Sequence, residues 1–241
     1  MSHLVSRQPW GVIDLDTVGG RIFFQQDWFY TWTLFNATVP AWTLNQKRFF
    51  HNTLDRQIWA RWSNHIKLRV SGTTPFARRF AASGVAINFD IRWVLRPGHY
   101  AVTVRKMPPG STPTTFISFV DFGARRIELD SADLTGYRVA NEAGNSAPDP
   151  FFAGPHEFGH TIDNPDEYNA VSTAMAQIDF SSISNAMNSM ARLGRAVALL
   201  ADTNSIENVG RQVRPRHLHL IIDALNALTP GVTWEMPIGV T

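Results

Sequence analysis

Between Val85 and Trp93 the chain alternates strictly, with Val85, Ile87, Phe89, Ile91 and Trp93 on one side and Ala86, Asn88, Asp90 and Arg92 on the other. Successive side chains leave a strand on opposite faces, so nine residues at period two predict a strand. Tyr100, Val102 and Val104 continue the alternation after a Pro97-Gly98 turn, which predicts a hairpin partner. The period is different upstream. Phe50, Leu54, Ile58 and Trp62 recur every four residues, placing them on one face of a helix, and Thr43-Leu44-Asn45-Gln46 has the form of a capping box at its start. That helix is expected to end near Asn64. After a Gly19-Gly20 turn, residues 22–39 hold Phe23, Phe24, Trp28, Phe29, Tyr30, Trp32 and Phe35, a composition that favours at least one strand. Residues 66–70 predict another. Pro108-Pro109-Gly110 closes the Tyr100 strand, 115–122 and 126–129 are two shorter strand candidates, and 131–150 reads as loop.

The second half follows another pattern. A helix is expected to open at Pro155, with Gly154 as its cap. An irregular polar stretch follows over 163–169, then helices within 185–201 and 215–228. Strands before helices predict an α+β domain in which a mixed twisted sheet is backed by the long helix at 44–64. The expectation is a single domain over 1–241, strand-rich to residue 150 and helical with the motif beyond it. Of Trp28, Trp32, Trp59, Trp62 and Trp93, about four in five are expected in the core, on the faces just described.

Composition narrows the function. With 44% hydrophobic and 17% charged residues the chain has the make-up of an ordinary globular protein. Its 22 basic residues include only Lys47, Lys67 and Lys106, and the arginines are scattered against 20 acidic residues, so no nucleic-acid partner is expected. The absence of cysteine excludes disulfides, thiolate metal sites and cysteine nucleophiles, and any metal must be held by His, Asp or Glu. Arg7, Gln8, Asp14 and Asp16 interrupt the amino-terminal segment, and the longest apolar run is only 196–201. Neither a secretory signal peptide nor a membrane span is expected, and the chain reads as soluble.

The densest polar segment is PHEFGHTIDNPDEY, residues 155–168. His156 and His160 stand four apart, one turn of helix, so both imidazoles can reach a single ion. Glu157 lies beside the first, placed to take a proton from a water activated by the metal without itself being a ligand. A catalytic zinc site takes three protein ligands and keeps an open position. Asp166 is the leading third ligand, since Asn164-Pro165 should end the helix and turn the chain back; Glu167 competes next door, and Asp179 is a remote alternative. His217 and His219, at the start of the last helix, can assist from outside the ligand set or lie exposed there. Tyr168 can donate to a tetrahedral intermediate or pack.

The run His156 to Tyr168 resembles the zinc metallopeptidases of the zincin superfamily, and within it the metzincin-like pattern H-E-x-x-H-x-x-G-x-x-H/D with Asp166 in the last position. The order of strand, long helix and further strands before the motif is similar to the amino-terminal half of that fold. HEFGH followed by PDEY resembles zincin-like domains of bacterial toxins and effectors. The resemblance implies a zincin-like fold, a Zn cofactor, hydrolysis of a protein or peptide substrate with Glu157 as general base, Tyr168 and His217 as catalytic helpers, and secretion by a signal-independent route. It also implies an immunity protein or secretion machinery as partner. Asp163 stands where the pattern has glycine. The turn at 205–210 looks like the family's methionine turn, yet carries Glu207 where methionine is expected; Met187 or Met190 are the alternatives for that place. Two rivals to the peptidase are a binding module with a structural metal and a metal-dependent amidase acting on a non-protein substrate.

Overall fold

The aromatic-rich segment after Gly20 forms one long strand, and the rest of the sheet is laid against it. In the computed structural model, which describes residues 2–113, 117–178 and 181–236, β3 (Arg21–Leu34) buries Ile22, Phe24, Gln26, Trp28 and Tyr30 at every second position. β1 (His3–Gln8) and β2 (Gly11–Asp16) make an antiparallel hairpin whose second strand pairs with the first half of β3. α1 (Leu44–Trp62) starts at the Thr43 capping box and buries Phe50, Leu54, Ile58 and Trp62, as their spacing predicts. β4 (Lys67–Gly72), a short α2 (Pro75–Phe80) and β5 (Val85–Val94) follow. β6 (Tyr100–Lys106), β7 (Phe119–Asp121) and β8 (Arg126–Asp130) extend the sheet, and the order from one end is β7-β8-β6-β3-β5-β4-β9. The last of these, β9 (Val232–Glu235), returns from the end of the described chain to pair with β4.

The architecture is α+β with a mixed sheet, but the expected β5–β6 hairpin does not form. Both strands run parallel to β3, one on each side of it. β5 pairs as far as Val94 opposite Phe29, and β6 begins with Tyr100 opposite Trp28, so the chain reverses nothing and only steps across β3. Two strand spacings of about 4.8 Å are within reach of a five-residue link. The crossing point is Asp27, whose carbonyl accepts from the His99 backbone N–H at 2.8 Å and whose own N–H donates to His99 Nδ1 at 2.8 Å. A Cβ on Gly98 would stand 2.5 Å from that carbonyl oxygen.

Downstream, α3 (Ala153–His160) begins two residues before the expected Pro155, with Phe152 and not Gly154 as its cap residue. It is followed by α4 (Ala170–Ala176), α5 (Ile183–Ala201), a 3-10 turn over Pro215–Leu218 and α6 (His219–Leu228). The strand expected over 115–122 is the three-residue β7; residues 115 and 116 lie outside the described residues. The loop reading of 131–150 holds except for isolated bridges such as Tyr137 with Phe151. Among the five tryptophans considered above, Trp28 and Trp62 are fully buried, Trp32 and Trp93 pack against the core, and Trp59 is exposed. Among the described residues no helix is long and apolar enough to cross a membrane.

What the fold does for the motif is visible at Phe158. Its ring is fully buried against Phe24, Phe89 and Trp62, with centroids 5.3–6.3 Å away. Burying a side chain of this size contributes about 1.5–3 kcal/mol, enough to hold a short, otherwise polar helix on the sheet. Gly98→Ala should lower stability by about 1–3 kcal/mol through overpacking against Asp27, whereas Gly123→Ala, with ordinary contact distance at its Cβ position, should change it by less than about 0.5 kcal/mol. Urea unfolding of the two variants checks this.

Candidate metal centre

α3 is fixed at both ends by polar groups that the apolar pattern left unexplained. Trp62 Nε1 donates to the carbonyl of Pro155 at 2.9 Å. At the other end Gln26 of β3 donates to Thr161 Oγ1 at 2.9 Å, and Tyr100 of β6 donates its hydroxyl to the Thr161 carbonyl at 2.8 Å. Gln26 is fully buried, and it satisfies the backbone where the helix ends inside the core. The chain then turns through Asp163 at φ 64°, the left-handed conformation that aspartate tolerates better than most residues and that the glycine of the family pattern would supply.

This turn carries Asp166 back over the helix. His156 Nε2 lies 3.1 Å from His160 Nε2, and Asp166 Oδ1 lies 3.2 and 3.1 Å from the two nitrogens. The three atoms form a near-equilateral triangle. A tetrahedral ion with bonds of about 2.0–2.1 Å keeps its ligands about 3.3 Å apart, so the spacing suits zinc. Ring orientation agrees with this use, because His156 Nδ1 donates to the Ile206 carbonyl at 2.7 Å and His160 Nδ1 to the Asn164 carbonyl at 2.6 Å. With Nδ1 the donor, each neutral ring points a bare lone pair from Nε2 at the other. Asp166 Oδ1 is buried beside the two Nε2 atoms. Such a cluster fits a cation. A carboxylate oxygen of Glu157 also lies within 4.8 Å of the imidazole nitrogens, and its Oε2 is buried and unpartnered.

The electrostatics point the same way. Burial by itself would lower the His160 pKa, but the hydrogen bond to Asp166 and the charges of Glu207 and Glu157 outweigh it and push it up to about 10. His156 is raised by a similar balance. Burial would raise Asp166, yet its hydrogen bonds to the two imidazoles hold it well below the usual carboxylate range. Burial raises Glu157, with His156 and His160 offsetting only part of that.

Below the imidazoles lies Glu207, which is fully buried, with Oε2 at 3.8 and 3.6 Å from the Nδ1 atoms of His156 and His160. The turn at 205–210 carries it there. Met187 and Met190 do not take that place; both are exposed on α5, over 16 residues away along the chain. Burial pushes the Glu207 carboxyl up to about 8, with the charges of His160 and His156 offsetting only part of that. Its presence explains Gly159: a Cβ there would overlap Glu207 Oε1. The Glu207 carbonyl in turn accepts from the Glu167 N–H at 2.7 Å, tying the two turns together.

Several expected residues are placed elsewhere. Glu167 faces away from the triangle and forms a bidentate pair with Arg216, 2.7 Å at each nitrogen. His217 does not reach the cleft. It is buried, its Nδ1 accepts from the Arg214 N–H at 3.1 Å, and its Nε2 lies 3.3 Å from Glu167 Oε1, so its role is to support Glu167. His219 is half-buried at the start of α6 and does not line the cleft in front of the triangle. Asp179 lies outside the described residues. Tyr168 does reach the site: its ring is 5.7 Å from that of His156, and burial, followed by the charge of Asp166, raises its hydroxyl and keeps it a donor. In front of the triangle a cleft of about 450 Å³ is lined by Glu157, His160, Asp166, Tyr168 and, across it, Phe119 and Val120 of β7.

Comparison with protein-family models, with curated proteins and with solved structures returns no match to this chain.

Two measurements follow from the facing of Asp166 and Glu167. Zinc affinity of Asp166→Asn, by competition with a chelator, should fall by more than the roughly 10–100-fold that outer partners account for, and that of Glu167→Gln by no more than that range. Glu167 has its carboxyl lowered to about 2 from 4.5, burial being outweighed by Arg216 and His217. Between those values the unfolded chain binds more protons, so the pair's contribution, on the order of 3 kcal/mol, is full above about pH 5 and lost as pH falls towards 2. The wild-type advantage over Glu167→Gln in urea unfolding should shrink accordingly on acidification.

Proposed function

We propose that this protein is a zinc-dependent peptidase with a zincin-like fold. The observation that carries the reading is the triangle of His156, His160 and Asp166 with the buried Glu157 carboxylate beside it, His160, Asp166 and Glu157 all lining one open cleft. A purely structural ion has no use for that fourth group. The donor set of two imidazoles and a carboxylate suits zinc among the common metals. When bound, zinc supplies Lewis acidity: it acidifies water and polarises a carbonyl oxygen.

The chain's own residues do the rest. Glu157 accepts a proton from the attacking water and passes it to the leaving amine; the upward shift of its carboxyl by burial brings it closer to the pH at which both transfers are efficient. Tyr168 stays protonated and donates a hydrogen bond to the oxyanion as the carbonyl becomes tetrahedral. Ile206 and Asn164 hold the two imidazoles in one tautomer and one orientation. The substrate lies along β7, which ends the sheet and leaves its outer edge for an extended peptide to pair with.

The zincin-like character is supported by the order β3, α1, β4, α2, β5, β6, β7, β8 before the motif helix and by the turn carrying Glu207 beneath the imidazoles. Action as a bacterial effector or toxin, with an immunity protein or secretion machinery as partner, belongs to the same proposal; its support is the HEFGH and PDEY wording.

Glu157→Gln should keep one zinc per chain by elemental analysis and lose peptide hydrolysis by at least the 10²–10⁴-fold typical of a general base, assayed on a broad peptide library. A well-folded wild type that takes up no zinc when it is supplied would sink the proposal.

A further inference from the structure

A second cavity, of about 290 Å³, opens behind the cleft between α3 and the loop over 131–151. Its walls include Tyr137, Val139, Phe151 and Val209, and it shares His156, Glu157 and Tyr168 with the zinc triangle and the cleft. Pockets for whole small molecules start at about 300 Å³, so this one suits a single side chain. Among these apolar walls stands Asp133, only 1% exposed. Its Oδ2 accepts from the Asp130 N–H at 2.7 Å and from Ser118 Oγ at 2.6 Å, which accounts for its part in the turn. Among the described residues Oδ1 has no hydrogen-bond partner. Neighbouring Asp130 is also fully buried, with Oδ2 unpartnered.

A buried acceptor without a partner costs about 1–3 kcal/mol, and more if charged. The missing partner has to cross an apolar cavity and end in a donor, preferably a cation. A lysine or arginine side chain has this form, an aliphatic stem carrying a charged head. We propose that the cavity receives a basic side chain of the substrate close to the scissile bond, and that Asp133 is the residue that selects it. The inference rests on the peptidase reading for its biological meaning. Burial, then the charges of Asp130 and Glu157, raise the Asp133 carboxyl well above its ordinary range; an ammonium or guanidinium head against Oδ1 relieves that strain.

The test separates this proposal from the peptidase reading by measuring binding without cleavage. Zinc-loaded Glu157→Gln is titrated calorimetrically with end-blocked penta-alanine peptides whose central residue is Lys, Arg, norleucine or Glu. Lys and Arg peptides should bind about 10–100-fold more tightly than the norleucine peptide, the worth of one charged hydrogen bond. Adding Asp133→Asn, which keeps an acceptor for the turn, should remove that difference and leave norleucine binding within about twofold. No preference, no binding of any peptide, a preference that survives Asp133→Asn, or an equal loss for norleucine would each overturn the proposal. If Asp133→Asn does not fold, shortening lysine to ornithine and diaminobutyrate in the Glu157→Gln background decides: affinity should drop stepwise as the charge is withdrawn, and a flat series overturns the idea. Product mapping with the zinc-loaded wild type completes the separation. Cleavage with no basic preference removes Asp133 and leaves the peptidase; a basic preference in binding with no cleavage does the reverse.

Discussion

Two imidazole nitrogens 3.1 Å apart, each on a ring whose other nitrogen is committed to a main-chain carbonyl, present lone pairs that a shared cation reconciles. Much of the second half of the chain is arranged around that constraint. The carbonyl partners come from Ile206 and Asn164, so the turn at 205–210 and the turn through Asp163 must both sit against α3. Closing the first turn on the helix brings a fully buried glutamate under the rings, and glycine at 159 gives it room. A negative Glu207 adds to Glu157 and Asp166 in a site of low dielectric, and burial works against that charge.

The cost of so much buried polarity is offset by the aromatic core. Phe158 projects from the motif helix into a cluster with Phe24, Phe89 and Trp62, while Gln26 and Tyr100 satisfy the end of the helix from the sheet side. One short helix is thus anchored to three separate strands and to α1. On its other side, the same helix lines both the cleft and the smaller cavity behind it.

What could be read from the sequence was what depends on near neighbours. Phe50, Leu54, Ile58 and Trp62 define α1 by their own spacing, and Val85 to Trp93 define β5 by theirs. The alternation at Tyr100 correctly marks a strand but not its partner, because the partner is β3, some seventy residues earlier, and not the adjacent segment. His156, Glu157 and His160 were legible because one helical turn fixes their relation. Whether Asp166 or Glu167 faces the imidazoles was not, since Arg216, 49 residues on, is what draws Glu167 away. Asp133 gave no signal at all: in a polar stretch that reads as loop, nothing local shows that its carboxylate is enclosed. Gln26 had a faint one, as the single amide at a buried position of β3.

The step of the chain across Asp27 also bears on how the protein is assembled. With β5 and β6 docked on opposite sides of β3, the strands that carry the site meet only after the chain has closed loops of roughly sixty to seventy residues. Loops of that length are costly to close before their contacts form, which places this chain among slow, topologically demanding folders. In small zinc domains the ion itself drives folding. Here the helix that bears the histidines needs the finished sheet beneath it, so the cradle is built by sheet assembly. An ion that enters later stabilises the native state by mass action, and removing it should leave a folded chain that can be reloaded.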